Sequence, residues 1–285
     1  MNELALSQAI EDLLVSRNVR HMRVAQAALQ PGYYARAAAL LRNCTGNLII
    51  GTGFPVADTF ETDGPVGAIA LYETMEKLGA RPWLACAPPL SDEIAGDYRV
   101  LSLAAKSSED AKTEAAAVLK ELRPEIVLSI ERPGQAVDGK YYNMRGEDIS
   151  ARCGIFDPYL NLAECPTIAI GDGGNEIGMG NIGEAIANLD INPSITTCDE
   201  LLVADVSNWG AYGLMAFLGQ WAQRDFLAEV CPGDILDYLS ARGSVDGVTR
   251  ENTLTEDGLE SGAGEKLIEE LRGLLEPCEI QTELN

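Results

Sequence analysis

Acidic residues and glycines follow a short apolar run in the middle of the chain, at residues 167–183 (TIAIGDGGNEIGMGNIG). The β-branched start of this run is typical of a buried parallel strand. Gly173 and Gly174 let the backbone turn sharply and bring bare amides close to a ligand. Asp172 and Glu176 add two carboxylates at the same place. An open α/β sheet normally keeps its site where a strand ends in this way.

Three other predicted strands also end in polar loops. Residues 47–50 lead into GTGFP and ETDGP, residues 124–130 lead into ERPG, and residues 201–206 stop at Ser207 and Asn208. Because the carboxyl ends of parallel strands lie at one edge of a sheet, we expect these loops to meet. The side chains collected there are Glu61, Asp63, Glu131, Asp172 and Glu176, with Arg132 and Asn175 beside them.

Such a group of acids cannot be buried bare, because like carboxylates raise each other's pKa and must protonate or bind a cation. All-oxygen ligation favours Mg²⁺ or Mn²⁺, with Ca²⁺ also compatible, over zinc. The candidate metal ligands are Glu61, Asp63, Glu131, Asp172 and Glu176. Simpler interpretations stay open: Asp63 could only complement a helix dipole, and Glu131 could only pair with Arg132.

The alternation of predicted strands and helices indicates an α/β fold with a doubly wound, mostly parallel sheet flanked by helices. Residues 1–45 are predicted to be an N-terminal helical extension that caps the core or forms an oligomer contact. Residues 46–285 are predicted to be a single α/β domain carrying the site. Within it we expect a helix from Asp148 toward Leu162, another over residues 176–189, and a loop over residues 134–146.

Composition limits the partners of this 285-residue chain. A net charge of −23 should repel nucleic acids and anionic membranes, so neither is expected as a partner. A single histidine, His21, argues against a His-based triad or a His-rich zinc site. Seven scattered cysteines fit reduced thiols, and no signal peptide or membrane-length apolar stretch is visible. The sequence therefore predicts a soluble, cytoplasmic protein.

Common nucleotide-binding signatures are absent, since GDGGNEIGMG lacks the Lys-Ser/Thr of a Walker A loop and GTGFP is not GxGxxG. Three separated motifs instead resemble the C-terminal domain found in the D-glutamate cyclase family: GTGFP…ETDGPVGA, ERPG…DGKYYNMRGEDIS and TIAIGDGGNEIGMG. The similarity runs from about Ile49 through DVSNWG. It implies a carbon–oxygen lyase (hydro-lyase) that cyclises D-glutamate to 5-oxo-D-proline, or the reverse, and a small anionic substrate such as D-glutamate.

The implied reaction can be matched to the residues. Glu131 or Glu176 could accept the ammonium proton, and Asp172 joins them as a catalytic candidate. Arg132 or Arg145 could hold the α-carboxylate, while the glycine-loop amides face the developing oxyanion. A divalent ion on the γ-carboxylate would aid departure of the oxygen. The candidate substrate-binding residues are Thr52, Gly53, Arg132, Arg145, Gly173, Gly174, Asn175 and Asn208.

Two other functions fit the same residues. A metal-dependent phosphohydrolase would also use acids at strand ends and glycine-loop amides. A non-catalytic metal- or ligand-binding module would need only the binding groups. A homo-oligomer is compatible with each of the three functions.

Overall fold

The computed structural model describes residues 2–276 and is built on a six-stranded, fully parallel sheet with the spatial order β5-β4-β1-β6-β7-β8. The strands of this sheet are β1 (Asn47–Gly51), β4 (Arg81–Cys86), β5 (Val100–Ser102), β6 (Ile126–Ile130), β7 (Thr167–Gly171) and β8 (Glu200–Val203). A small antiparallel pair, β2 (Pro55–Val56) and β3 (Thr59–Phe60), lies outside the sheet.

The strand order makes the sheet doubly wound. From β1 the chain adds β4 and β5 on one side, then returns to add β6, β7 and β8 on the other side. The direction of winding therefore reverses between β1 and β6, and such a switch point opens a crevice at the carboxyl ends of the strands. The predicted α/β fold with a parallel sheet is confirmed.

Eleven α-helices accompany the strands within residues 2–276. They are α1 (Glu3–Leu14), α2 (Met22–Ala28), α3 (Tyr33–Leu41), α4 (Pro65–Lys77), α5 (Leu90–Ile94), α6 (Ser108–Leu122), α7 (Asp157–Asn161), α8 (Gly183–Ile186), α9 (Ser207–Ala222), α10 (Pro232–Ser240) and α11 (Ala263–Leu274). Helices α4 and α9 pack against each other and against the central strands. No helix in this described part of the chain is long and apolar enough to cross a membrane.

The N-terminal helices share the core of the sheet. Ile10, Leu14 and Tyr34 are fully buried in the same apolar cluster as the strand residues, and α1 and α3 both contact α9. The division into residues 1–45 and 46–285 stays a prediction, and residues 277–285 lie outside the described part of the chain.

Two predicted helices are wrong in extent. The helix expected from Asp148 is reduced to α7, because Asp148 accepts the Ser150 amide in a turn and α7 begins only at Asp157. The helix expected over residues 176–189 is a 3₁₀ turn, Met179–Ile182, followed by the single turn of α8. Gly178 has φ = 97°, a left-handed conformation that does not continue a right-handed helix. Residues 134–146 form the predicted loop.

The cysteines in the described residues are all free thiols. Cys44, Cys86 and Cys153 are buried, and Cys86 lies in β4. Cys278 lies outside the described residues.

Candidate functional site

A cavity of about 370 Å³ opens at the carboxyl edge of the sheet. Five carboxylates line it, and we call four of them, those of Glu61, Glu131, Asp172 and Asp257, the acidic floor; the fifth is that of Glu147. Four arginines also line it, Arg20 and three exposed ones, Arg145, Arg152 and Arg250, and we call these three the arginine rim. In a chain with net charge −23, a cavity with both signs of charge is suited to a zwitterionic or anionic small molecule.

Three buried carboxylates converge beside this cavity. One oxygen from each of Asp63, Glu131 and Asp172 lies within 4.8 Å of the other two. Glu131 follows β6 directly and Asp172 follows β7, while Asp63 belongs to the turn before α4. Among residues 2–276, this is the group whose ligand atoms could together hold a metal ion. We call it the acid triad.

Burial disfavours the charged forms of these acids and so raises their pKa values. Desolvation raises the pKa of Glu131 well above its usual value, and the neighbouring charges of Asp172 and Glu176 raise it further. Desolvation also raises the pKa of Asp172, while Arg20 acts in the opposite direction, and the pKa of Asp63 is raised to about 7. The oxygen donors are of the kind that Mg²⁺, Mn²⁺ and Ca²⁺ prefer, and a bound cation would relieve the repulsion, so the residues fit a divalent metal.

Asp63 and Asn208 hold the starts of two helices together. The Asp63 carboxylate accepts the amides of Ser207 (3.0 Å) and Asn208 (2.8 Å) at the start of α9. The Asn208 side-chain oxygen in turn accepts the amides of Gly64 (2.8 Å) and Gly67 (2.7 Å) at the start of α4. The Asp63 side chain thus caps α9, and the Asn208 side chain caps α4. A Cβ at Gly67 would lie 2.7 Å from the Asn208 Cα, so this close approach needs glycine.

The side chain of Asn208 forms all its hydrogen bonds inside the protein. Its side-chain nitrogen donates to Glu256 at 2.7 Å and to the Thr62 carbonyl at 3.3 Å, so its four hydrogen bonds are all internal. Asn208 is fully buried and does not line the cavity. It positions the elements that carry the acids, and its contact with substrate stays a prediction.

Glu131 adopts a backbone conformation that is uncommon outside glycine, with φ = 48°. This turn directs the chain sharply away from β6, and the Ser207 hydroxyl donates to the Glu131 carboxylate at 2.6 Å. Gly64 lies against it at φ = 91°, and a Cβ there would come within 2.8 Å of the Glu131 Cβ. Strained residues at strand ends are typical of functional sites, where the surrounding structure holds them in place.

The glycine loop encloses an anion from the chain itself. The Gly174 amide donates to the Glu176 carboxylate at 2.7 Å, and the Gly173 amide also lowers the pKa of Glu176 by hydrogen bonding. Burial acts against these amides and leaves that pKa raised. The amides of Gly173 and Gly174 thus face Glu176, and their use for substrate stays a prediction. Glu176 is buried next to the acid triad and does not line the cavity.

Arg132 binds backbone carbonyls outside the cavity. Its guanidinium donates to the carbonyls of Thr52 (3.2 Å), Gly53 and Gly154, and it is 1% exposed. These bonds join the loop after β1 to the loop that precedes α7. Arg132 is thus a structural cross-link. None of Arg132, Thr52 and Gly53 lines the cavity of the acidic floor, and their substrate contacts stay a prediction.

Arg145 and Asn175 do line the cavity, as the predicted binding roles require. Arg145 donates one hydrogen bond, to the Val248 carbonyl at 2.8 Å, which leaves donors of its guanidinium for a ligand. The Asn175 side-chain nitrogen donates to the Tyr142 carbonyl at 2.9 Å. Its buried side-chain oxygen has no hydrogen-bond partner among the described residues.

Three site residues escaped the sequence reasoning. Arg20, from the segment between α1 and α2, donates to Asp172 at 2.7 Å and to Asp257. Asp257 has φ = 52° and lies on the loop before α11. The glycine after it and the neighbouring Glu256 are a signal in the sequence by which this loop could have been found. Ser207 sits beside Asn208 in the strand-end motif already noted. Nothing local to Arg20 distinguishes it from a surface residue of a helical extension.

Comparison with known proteins identifies the family of this chain. The chain matches the family model described as "D-glutamate cyclase-like, C-terminal" over residues 10–272. It is 30% identical to human mitochondrial D-glutamate cyclase over 208 residues, which are 64% of this chain and 34% of that protein. This chain therefore spans about a third of that relative's length.

Among solved structures, an exopolyphosphatase-related protein from Bacteroides fragilis aligns with a TM-score of 0.45 and 10% identity, over 85% of this chain and 56% of that one. A likeness at that level supports no functional argument. The family match, by contrast, covers most of the chain and all of the acid triad. The chain belongs to the D-glutamate cyclase-like family, to the region that the family model describes as C-terminal.

Proposed function

We propose that this chain interconverts D-glutamate and 5-oxo-D-proline at the cavity, with the help of a divalent cation, Mg²⁺ or Mn²⁺, on the acid triad. The observation that carries the proposal is the convergence of Asp63, Glu131 and Asp172 within 4.8 Å beside a cavity rimmed by arginines. Membership of the D-glutamate cyclase-like family supports the choice of reaction.

The cavity is complementary to an acidic amino acid. D-Glutamate has one ammonium and two carboxylates, and the acidic floor and arginine rim present the opposite charges. The rim arginines suit the carboxylates. Arg145 donates one hydrogen bond to a carbonyl and Arg250 pairs with Glu147 at 2.7 Å, so each guanidinium keeps further N–H groups for a ligand.

Glu131 is the best-placed base. Cyclisation needs the ammonium to lose a proton, after which the nitrogen lone pair attacks the γ-carbon, a C–N bond forms and a C–O bond breaks. Glu131 is placed to pass on the two protons that the nitrogen loses, one before the attack and one as the C–N bond forms, and the departing oxygen takes up both and leaves as water. The hydroxyl of Ser207 fixes the orientation of the Glu131 carboxylate. Held by the acid triad, a divalent cation would polarise the γ-carboxyl group.

Turnover tests the proposal directly. The purified chain is incubated with D-glutamate and, separately, with 5-oxo-D-proline, with and without Mn²⁺ or Mg²⁺, and both compounds are quantified by chiral chromatography. We expect cation-dependent conversion that Asp172→Asn abolishes. Asp190→Asn, the same chemical change at an exposed residue with no hydrogen bond among the described residues, is the matched control and should leave the rate unchanged.

The other candidate functions are outcomes of the same experiment. Phosphate esters form a second substrate panel, and their cation-dependent hydrolysis without any conversion of D-glutamate would favour a phosphohydrolase. Binding of D-glutamate with no turnover in either direction would favour a binding module. No conversion and no binding would remove the proposed substrate.

A further inference from the structure

Arg20 reaches the acidic floor from the N-terminal extension. Its Nη2 donates to Asp172 at 2.7 Å and to the carboxylate of Asp257, and its Nε donates to the Asp172 carbonyl at 3.3 Å. The side chain is 16% exposed and lines the cavity. Its Nη1 donates to no described residue, so one terminal nitrogen of the guanidinium remains available within the cavity.

The segment that carries Arg20 is fastened to the core. The Arg17 amide donates to Asp205 at 2.7 Å, and the Asp205 amide donates to the Leu14 carbonyl at 2.7 Å. The Arg17 guanidinium also lies 4.7 Å from the centre of the Trp209 ring. These contacts hold the guanidinium of Arg20 in place before a ligand arrives, and such preorganisation favours binding.

The other arginines near the site are placed differently. Arg132 is bound to three backbone carbonyls outside the cavity, and the rim arginines contact Val248, Ala57 and Glu147 at its mouth. Among the described residues that line the cavity, Arg20 is therefore the guanidinium that enters the acidic floor. A planar guanidinium is the side chain best shaped to receive a carboxylate.

We propose that Arg20 binds the α-carboxylate of the substrate, and this inference rests on the proposed function. The α-carboxylate and the amine are attached to the same carbon. Anchoring the carboxylate at Arg20, which contacts Asp172, brings the amine toward Glu131, since Asp172 and Glu131 belong to one triad. The N-terminal extension thus supplies a specificity-determining residue, in place of the contact with Arg132 or Arg145 that the sequence suggests.

Calorimetric binding of D-glutamate and its α-amide, D-isoglutamine, tests the assignment. Glu131→Gln serves as the parent, because loss of the proposed base prevents turnover during the titration. A charge-assisted hydrogen bond should make the parent prefer D-glutamate by about 10-fold to 100-fold. Adding Arg20→Met should reduce that preference to about 1-fold to 3-fold. Adding Arg23→Met, whose guanidinium bonds only the Val15 and Ser16 carbonyls, should leave it unchanged.

Each outcome decides a specific point. A preference retained after Arg20→Met would overturn the role of Arg20 and leave the proposed function standing. A parent that binds neither compound, together with a wild type that converts none, would overturn the proposed function itself. If Arg20→Met fails to fold, Arg20→Met combined with Asp257→Asn also removes the charge of one of the two acids that pair with Arg20, and it answers the same question. Arg20→Lys keeps the charge and should retain an intermediate preference.

Discussion

Replacement of Asn208 by alanine separates a positioning role from a substrate-binding role. The change removes acceptors from the Gly64 and Gly67 amides and donors from Glu256 and the Thr62 carbonyl. Gly64 keeps the Asp63 carboxylate as a partner at 2.8 Å, but Gly67 loses its side-chain acceptor. Loss of a helix cap costs about 1 kcal/mol, and each buried polar group left unpaired costs about 1–3 kcal/mol.

The free energy of unfolding of Asn208→Ala should therefore fall by roughly 3–5 kcal/mol, as measured by urea denaturation at pH 7. Asn188→Ala is the matched control, because Asn188 is exposed and has no hydrogen bond among the described residues, and it should change stability by less than about 0.5 kcal/mol. A loss below about 1 kcal/mol in Asn208→Ala, with a raised KM for D-glutamate, would refute the reasoning and make Asn208 a substrate contact.

Three further predictions concern stability and the pH dependence of the site. Burial raises the pKa of Asp63 and Glu256 to about 7, so the folded chain binds protons that the unfolded chain has released. The cation-free protein should therefore lose stability, seen as a lower Tm, as the pH rises from about 5 to 8, and a gain would contradict this. Arg132→Met leaves three buried carbonyls without their donor and should destabilise the fold by about 3 kcal/mol or more in urea denaturation; an unchanged midpoint would refute the cross-link. Ser207→Ala removes a hydrogen bond that favours the charged form of Glu131. The acidic limb of the pH profile of kcat/KM should therefore move to higher pH by as much as about one unit. An unchanged acidic limb would show that Ser207 does not act on the base.

The presence of an acidic site could be predicted from the strand ends alone, but which residues meet there depends on the order of the strands in the sheet. Apolar runs followed by polar residues located Glu131 and Asp172, since both come directly after buried strands. The neighbours β1, β6 and β7 bring the loops of Asp63, Glu131 and Asp172 together. The order of the strands is decided by contacts between distant parts of the chain, which no local pattern records.

The groups whose surroundings differ from the sequence-based expectation share one physical feature, because each finds its partner inside the protein. The glycine-loop amides were expected to face a ligand, and they bind Glu176 two residues away. Arg132 was expected to face a carboxylate, and carbonyls from two loops surround it. Arg20 was missed because the segment between α1 and α2 gains its position from contacts with Asp205 and Trp209, far along the chain.

Titration with Mn²⁺, followed by electron paramagnetic resonance of the free ion, tests the acid triad most directly. The wild-type chain should bind a single Mn²⁺ in a saturable manner, and Glu131→Gln should abolish or strongly weaken that binding. Glu147→Gln, a change at a cavity residue that pairs with Arg250 outside the triad, should bind as the wild type does. Absence of saturable binding in the wild type, or equal binding in wild type and Glu131→Gln, would contradict the assignment of the acid triad as a metal site.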